Sequence, residues 1–251
     1  MAYSTIPRGD ITAGINFYLP PQNSAQPFDY VDQPPPGKPQ RNYADIVQEV
    51  LIHDIHGHES DFTLDHDAFQ ILHGMPASTE EEFIDDDSIK KNYYPEIEKL
   101  LLDHVPGANH VLIFDHTVRR AAPNAHRSPV LYYPDEGDAL LKQRYRLINV
   151  WRPLNQRPVE SFPFAFASSS MLEASDFIPV VHHHQDGAKW YYLSGMTSDE
   201  RVLLKCFDSE SHKPDSDIGG RVPHTAFWDP RTKTDAEPRE SIEVRTLVFG
   251  P

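Results

Sequence analysis

Fourteen histidines are spread through 251 residues, and imidazole is the side chain that binds transition metals and exchanges protons near neutral pH. They concentrate in two places: His53, His56 and His58, then His182-His183-His184-Gln185-Asp186. His184-x-Asp186 has the spacing that opens the two-histidine, one-carboxylate facial set of non-haem iron enzymes. A chain this rich in His and Asp yields about one such match by chance. The stretch also runs into Gly187 in polar surroundings, unlike a strand that aims ligands into a barrel, so it reads as a solvated loop.

Runs that are polar and aromatic yet sit inside strand patterns carry more chemical content. They are Phe114-Asp115-His116-Thr117-Val118-Arg119-Arg120, Ile148-Asn149-Val150-Trp151-Arg152-Pro153, Lys189-Trp190-Tyr191-Tyr192, Pro223-His224-Thr225-Ala226-Phe227 and Pro238-Arg239-Glu240-Ser241-Ile242. A lumen lined by such Asn, Trp, Arg, Tyr and His side chains is a pocket with convergent donors, suited to a small organic anion or oxygenated ligand. The competing reading is a buried polar network that serves only the fold.

The elements that must position these side chains are mostly strands. Val50, Ile52 and Ile55 suggest a strand over 48–56, and Phe62-Thr63-Leu64 begins a turn-and-strand segment. Strand-like runs follow at 110–114, 146–151, 162–166, 189–193, 202–207 and 242–249. The last places Ile242, Val244, Thr246 and Val248 on one face and Glu243, Arg245, Leu247 and Phe249 on the other. Ile89, Tyr93, Ile97, Leu100 and Leu101 recur at helical spacing. Thr79 with Glu82 has capping-box spacing, and Asp85-Asp86-Asp87 suits a helix start, where acidic groups meet the dipole. Pro95 is a point at which this helix could kink or split, and Pro106-Gly107 ends it. A second helix is expected over 136–144. Short strands with Pro- and Gly-rich turns imply an antiparallel sandwich or barrel with helices packed outside.

Eight prolines fall within residues 1–39. That composition predicts a proline-rich arm over 1–42, docked through Phe17, Tyr18, Phe28 and Tyr30, ahead of a domain over 43–251. Cys206 is the sole cysteine, so an internal disulfide and a cysteine-based zinc site are excluded; its apolar neighbours make it a structural thiol. The formal charge of −15 argues against nucleic acid and anionic membrane as partners. No apolar run approaches the roughly 18 residues that span a bilayer, and the N-terminus resembles neither a signal nor a transit peptide. A cytoplasmic location is therefore expected.

In the five runs above, in Arg144-Tyr145-Arg146-Leu147 ahead of Ile148, and in Leu204-Lys205-Cys206-Phe207-Asp208-Ser209, the sequence resembles the fungal hydroxylase/desaturase family of secondary metabolism. That family includes a gibberellin desaturase and relatives of the cephalosporin methoxylation proteins, and the likeness runs in consistent order from about Val50 to Phe249. The resemblance implies a double-stranded β-helix, mainly β with packed helices and of jelly-roll or cupin type, that binds Fe(II) and 2-oxoglutarate. His224 falls at the family's distal iron-binding histidine. Arg239 with Ser241 matches the Arg-x-Ser pair expected to grip the cosubstrate carboxylate, a task that suits a planar guanidinium.

Two segments depart from that pattern. The family's His-x-Asp-Gln strand, source of two iron ligands, has no counterpart where Val130-Leu131-Tyr132-Tyr133 runs into Pro134-Asp135-Glu136-Gly137, and Ala165-Phe166-Ala167-Ser168-Ser169-Ser170 stands where the family tends to carry an Asp and an Arg. Because facial binding needs three ligands, the reading is a metabolite-tailoring enzyme that kept the pocket and lost the metal, with no cofactor. It would catalyse a cyclisation, isomerisation, dehydration or pericyclic step. His224 and Arg239 would be catalytic, and Asn149, Trp151, Arg152, Tyr191, Tyr192 and Ser241 would bind the substrate. The alternatives are an active Fe(II)/2-oxoglutarate oxidoreductase with ligands relocated to His184 and Asp186, or a non-catalytic binding subunit. The expected partner is a small metabolite, with a homodimer left open.

Overall fold

Period-two alternation and the placement of proline set most of the strand boundaries. In chain order the strands are β1 (Ile11–Leu19), β2 (Ala44–Asp54), β3 (Phe69–Leu72), β4 (His110–Arg119), β5 (Arg127–Pro129), β6 (Arg144–Pro153), β7 (Phe164–Ala167), β8 (Phe177–Ile178), β9 (Val181–His182), β10 (Trp190–Tyr192), β11 (Arg201–Asp208), β12 (His224–Ala226) and β13 (Ser241–Gly250), with helix α1 (Asp86–His104) between β3 and β4. The computed structural model describes residues 6–21, 25–28, 30, 34–120, 127–129, 140, 142–171, 177–178, 181–182 and 188–251. The helix expected over 136–144 falls largely outside them.

Two sheets face each other. One has the order β1-β2-β10-β7-β12 and the other β3-β11-β6-β13-β4-β5. Trp151 of β6 and Val202 and Leu204 of β11 meet Phe166 of β7 and Phe69 of β3 in the space between. On the outer side of the six-stranded sheet, Ile148, Val150, Leu203, Ile242, Val244 and Val248 pack against Ile89, Tyr93, Ile97 and Leu101 of α1. Each of these buried aliphatic or aromatic side chains contributes roughly 1.5–3 kcal/mol relative to exposure. The alternation of β13 is thus obeyed: its apolar set meets the helix and its Glu243 and Arg245 face the other sheet.

α1 starts one residue after Asp85, whose side chain accepts the Ser88 N–H at 2.7 Å. The acidic triplet is therefore a cap, as its position at the positive end of the dipole suggests. Thr79 does not begin the helix. Its N–H and Oγ1 instead donate to Glu96, each at 2.7 Å, because a long-range carboxylate competes with local capping. Pro95 lies inside α1, which runs on to His104 as one element.

The proline-rich arm needs correction. Residues 11–19, expected within it, form β1, which pairs with β2 from Ile11↔Ile52 to Leu19↔Ala44. That stretch contains no proline, and β1 lies at the sheet edge, where one unpaired side is tolerated. Seven of the eight prolines cluster in the connection that follows.

At one end of the six-stranded sheet sits a buried ion cluster. Arg144 grips the fully buried Asp208 through Nε at 3.0 Å and Nη2 at 2.7 Å, and Lys205 Nζ adds a contact at 2.7 Å. Burial alone would raise the Asp208 carboxyl; the hydrogen bonds from Arg144 and Lys205 overcome it and hold the group below the ordinary carboxylate range. Among the described residues no helix is long and apolar enough to cross a membrane.

Candidate active site between the two sheets

β6 alternates its side chains between two environments, and this decides which predicted residues share the site. Asn149 and Trp151 face the interior between the sheets, while Val150 and Arg152 face α1. The Trp151 ring stacks on Phe164 of β7, with centroids 4.8 Å apart and planes 1° from parallel. Phe164 in turn lies 5.6 Å from the His224 ring. The Arg239 guanidinium carbon also sits near Trp151, 5.9 Å from the indole centroid. Arg239, Trp151, Phe164 and His224 thus form one continuous ladder that bridges the sheets, held by cation–π and ring contacts.

Both ends of the ladder are chemically poised. His224 Nδ1 lies 3.0 Å from the Val222 carbonyl. A carbonyl only accepts, so Nδ1 carries the proton, and Nε2 is left as the acceptor or ligand nitrogen. Arg239 donates Nη1 to the Phe162 carbonyl at 2.8 Å, and Phe162 has φ of +48° at the turn into β7. Among the described residues no carboxylate lies within ion-pair distance of Arg239. Burial and the neighbouring Arg119 lower its pKa to about 10, so an incoming anion would be stabilised there. Ser241 is buried beside it on β13, in register with Arg119 of β4 and Pro153 of β6.

Further along the same inner face the charges are already paired. Asn149 donates Nδ2 to Glu243 at 3.2 Å, and Arg245 reaches Glu243 at 2.8 Å and Asp115 at 2.7 and 3.0 Å. Burial pulls the Arg245 pKa down, but Glu243 and Asp115 more than offset it. The Asn149 Oδ1 atom is buried without a hydrogen-bond partner. The roles of Glu243, Arg245 and Asp115 escaped the sequence reading, although charges at every second position of an otherwise apolar strand were a usable signal. Cys206 lies nearby at a bulge in β11, and burial pushes its thiol up to about 12. It is a structural thiol rather than a thiolate nucleophile.

Two predicted binding residues point elsewhere. Arg152 lies over the Phe83 and Tyr93 rings on the helix side of β6. Tyr192 faces the outer side of the five-stranded sheet, where its hydroxyl donates to the Gly9 carbonyl at 2.9 Å and accepts from Arg231 at 2.8 Å. Tyr191, one residue earlier, does face inward, with Phe62 and Phe69. Of the first histidine cluster, His53 pairs with Asp10 at 2.7 Å, and His56 and His58 are exposed. His183, His184 and Asp186 lie outside the described residues, as do residues 130–139.

The iron set implied by the resemblance needs three converging ligands. Among the described residues His224 would supply one, and no group of three His, Cys, Asp or Glu side chains converges. Asp115 and Glu243 are held by Arg245 and cannot serve without breaking its pairs. The described residues therefore fit the carboxylate end of the cosubstrate and a single metal ligand, not a complete iron centre.

This geometry has relatives. The profile of the family described as "Oxidoreductase/YMDC permease-like domain" matches residues 15–133 and 130–249. The hydroxylase/desaturase poxK of Penicillium oxalicum is 33% identical over 301 aligned positions, which take in 97% of this chain and 92% of poxK. The chain belongs to the fungal hydroxylase/desaturase family. The Fe(II)/2-oxoglutarate-dependent dioxygenase nvfI of Aspergillus novofumigatus is 29% identical over 93% of this chain and 95% of its own. Among solved structures, a variant of the iron and alpha-ketoglutarate-dependent endoperoxidase NvfI superposes with a TM-score of 0.82 at 25% identity, covering 98% of this chain and 99% of that one. The two facing sheets are thus the double-stranded β-helix of this family, and the chain is a natural-product tailoring enzyme on a 2-oxoglutarate oxygenase scaffold.

Proposed function

We propose that this hydroxylase/desaturase relative oxidises a small secondary metabolite with 2-oxoglutarate as cosubstrate, seated between β6, β12 and β13. The observation that carries the reading is Arg239: a half-buried guanidinium with no carboxylate in ion-pair reach among the described residues, 5.9 Å from the Trp151 ring centroid and two residues from the buried Ser241. A carboxylate placed there gains a charge-assisted, bidentate partner. Trp151, Phe164 and Tyr191 form an apolar wall that orients the ligand and excludes water. The His224 ring lies against Phe164 in the same ladder, with Nε2 as its acceptor nitrogen. The names of poxK and nvfI favour oxidation over the non-oxidative chemistry expected from the sequence.

A second reading rests on two specific observations. The family profile matches in two pieces that meet at 130–133, where the sequence lacks His-x-Asp, and the 301-position alignment is longer than the 251-residue chain. On that reading the pocket works without metal: His224 acts as general base and Arg239 polarises a carbonyl in a cyclisation, isomerisation, dehydration or pericyclic step. One experiment separates the two. The purified chain is loaded anaerobically with Fe(II), and bound iron and succinate release from 2-oxoglutarate are measured with candidate metabolites present. Near-stoichiometric iron with succinate release supports oxidation. Turnover that survives EDTA with no iron bound overturns it in favour of metal-free chemistry.

A further inference from the structure

Behind Trp151, on the face of β6 turned away from the pocket, two arginines oppose each other. Trp151 pairs with Val202 and Val150 with Leu203, so the next ladder position sets Arg152 of β6 against Arg201 of β11 on the α1 side. Their exposures are 7% and 3%. Like charges directly opposite on one sheet face destabilise it, and a buried cation without a counter-charge destabilises it further. Neither guanidinium lies within ion-pair distance of a carboxylate among the described residues. Arg201 donates Nη1 to the Ser198 and Glu200 carbonyls, both at 2.9 Å, and the neutral Tyr93 hydroxyl lies against it, but among the described residues its Nε has no hydrogen-bond partner. Arg152 Nε and Nη1 have none either.

The surroundings close the site without neutralising it. Arg152 lies 5.3 Å from the Phe83 ring and 5.7 Å from the Tyr93 ring. Glu80 is buried nearby on the same helix side, but its carboxylate already accepts from the Phe83 N–H, Ser88 and Asn92. Glu96 acts on Arg201 only through space, its Oε1 being held by Thr79. Water could satisfy the free N–H groups but would leave two positive charges uncompensated.

We infer that Arg152 and Arg201 form a buried binding site for one small monovalent anion, chloride in solution, which locks α1 onto the strand that carries Trp151. Enclosure by two aromatic rings and α1 selects a monatomic ion over a carboxylate metabolite. The site is separate from the pocket, since Arg152 and Trp151 lie on opposite faces of β6.

Two measurements on the intact chain test this. In a crystal grown in sodium bromide, an anomalous peak is expected between the two guanidiniums. In solution, the thermal midpoint should rise saturably when chloride replaces gluconate at constant ionic strength, by several degrees once the ion is about 100-fold above its dissociation constant. Arg152→Met and Arg201→Met should each abolish that chloride dependence. The inference is overturned if the bromide peak is missing, or if the wild-type midpoint is the same in chloride and gluconate. Neither readout on the wild type depends on a variant folding.

Discussion

Arg245 stands on β13 and Arg239 two residues ahead of that strand's start, and the two differ in what surrounds them. Arg245 is clasped by Glu243 and Asp115, whereas Arg239 has an indole face, a carbonyl and a like-charged neighbour. One guanidinium is fully paired; the other has no carboxylate within ion-pair distance among the described residues. The difference teaches that in a polar interior, the group whose charge remains unanswered marks the ligand's place, while the fully paired group marks the scaffold.

The largest expected effect comes from breaking a fully paired cluster. Asp208→Ala should cost about 3–5 kcal/mol in urea denaturation, because it removes the buried partner of Arg144 and Lys205 and leaves them only the half-exposed Asp65, at 2.7 and 3.4 Å. Since the folded Asp208 pKa lies below its unfolded value, its contribution is complete above the unfolded carboxylate range, about 3.9, and fades as pH falls through the folded value. Asp208→Asn should flatten that part of the acid-side stability curve. An unchanged curve would remove the buried pair from the account.

Arg239→Met tests the unpaired arginine. It should weaken binding of a carboxylate cosubstrate about tenfold to a thousandfold, measured calorimetrically, and leave stability within about 1 kcal/mol. A variant that binds as tightly as the wild type would show that the carboxylate sits elsewhere. His224→Ala should slow turnover of a metabolite by a similar factor while leaving the urea midpoint nearly unchanged, since His224 has one bond to a neighbouring carbonyl.

Smaller effects sharpen the contrast between pocket and surroundings. Replacing His184 and Asp186 together by Ala should change activity by no more than a few-fold if they form a solvated loop; a thousandfold loss with the fold intact would make them the relocated metal ligands. Cys206 should resist iodoacetamide in the native chain at pH 8, because its thiol stays protonated up to about 12. Rapid labelling would contradict the raised thiol.

The amino-acid sequence by itself determined the strand runs, the helix with its Asp85-Asp86-Asp87 start, and the polar-aromatic segments from which Arg239, Trp151 and His224 come. These were legible because burial imposes a period of two on strands and 3.6 on helices. Only the tertiary structure decided which side of each strand met the pocket. β6 is buried on both faces from Ile148 to Pro153, and alternation says that Asn149 and Trp151 share a face but not where that face points. Arg152 and Tyr192 were therefore placed in the pocket by pattern and turned out of it by packing. The same limit hid the clasp of Arg245 by Asp115, whose positions lie 130 residues apart. It hid β1 as well, because a strand at a sheet edge is defined by the neighbour it pairs with, and β1 and β2 meet only when the proline-rich connection folds back.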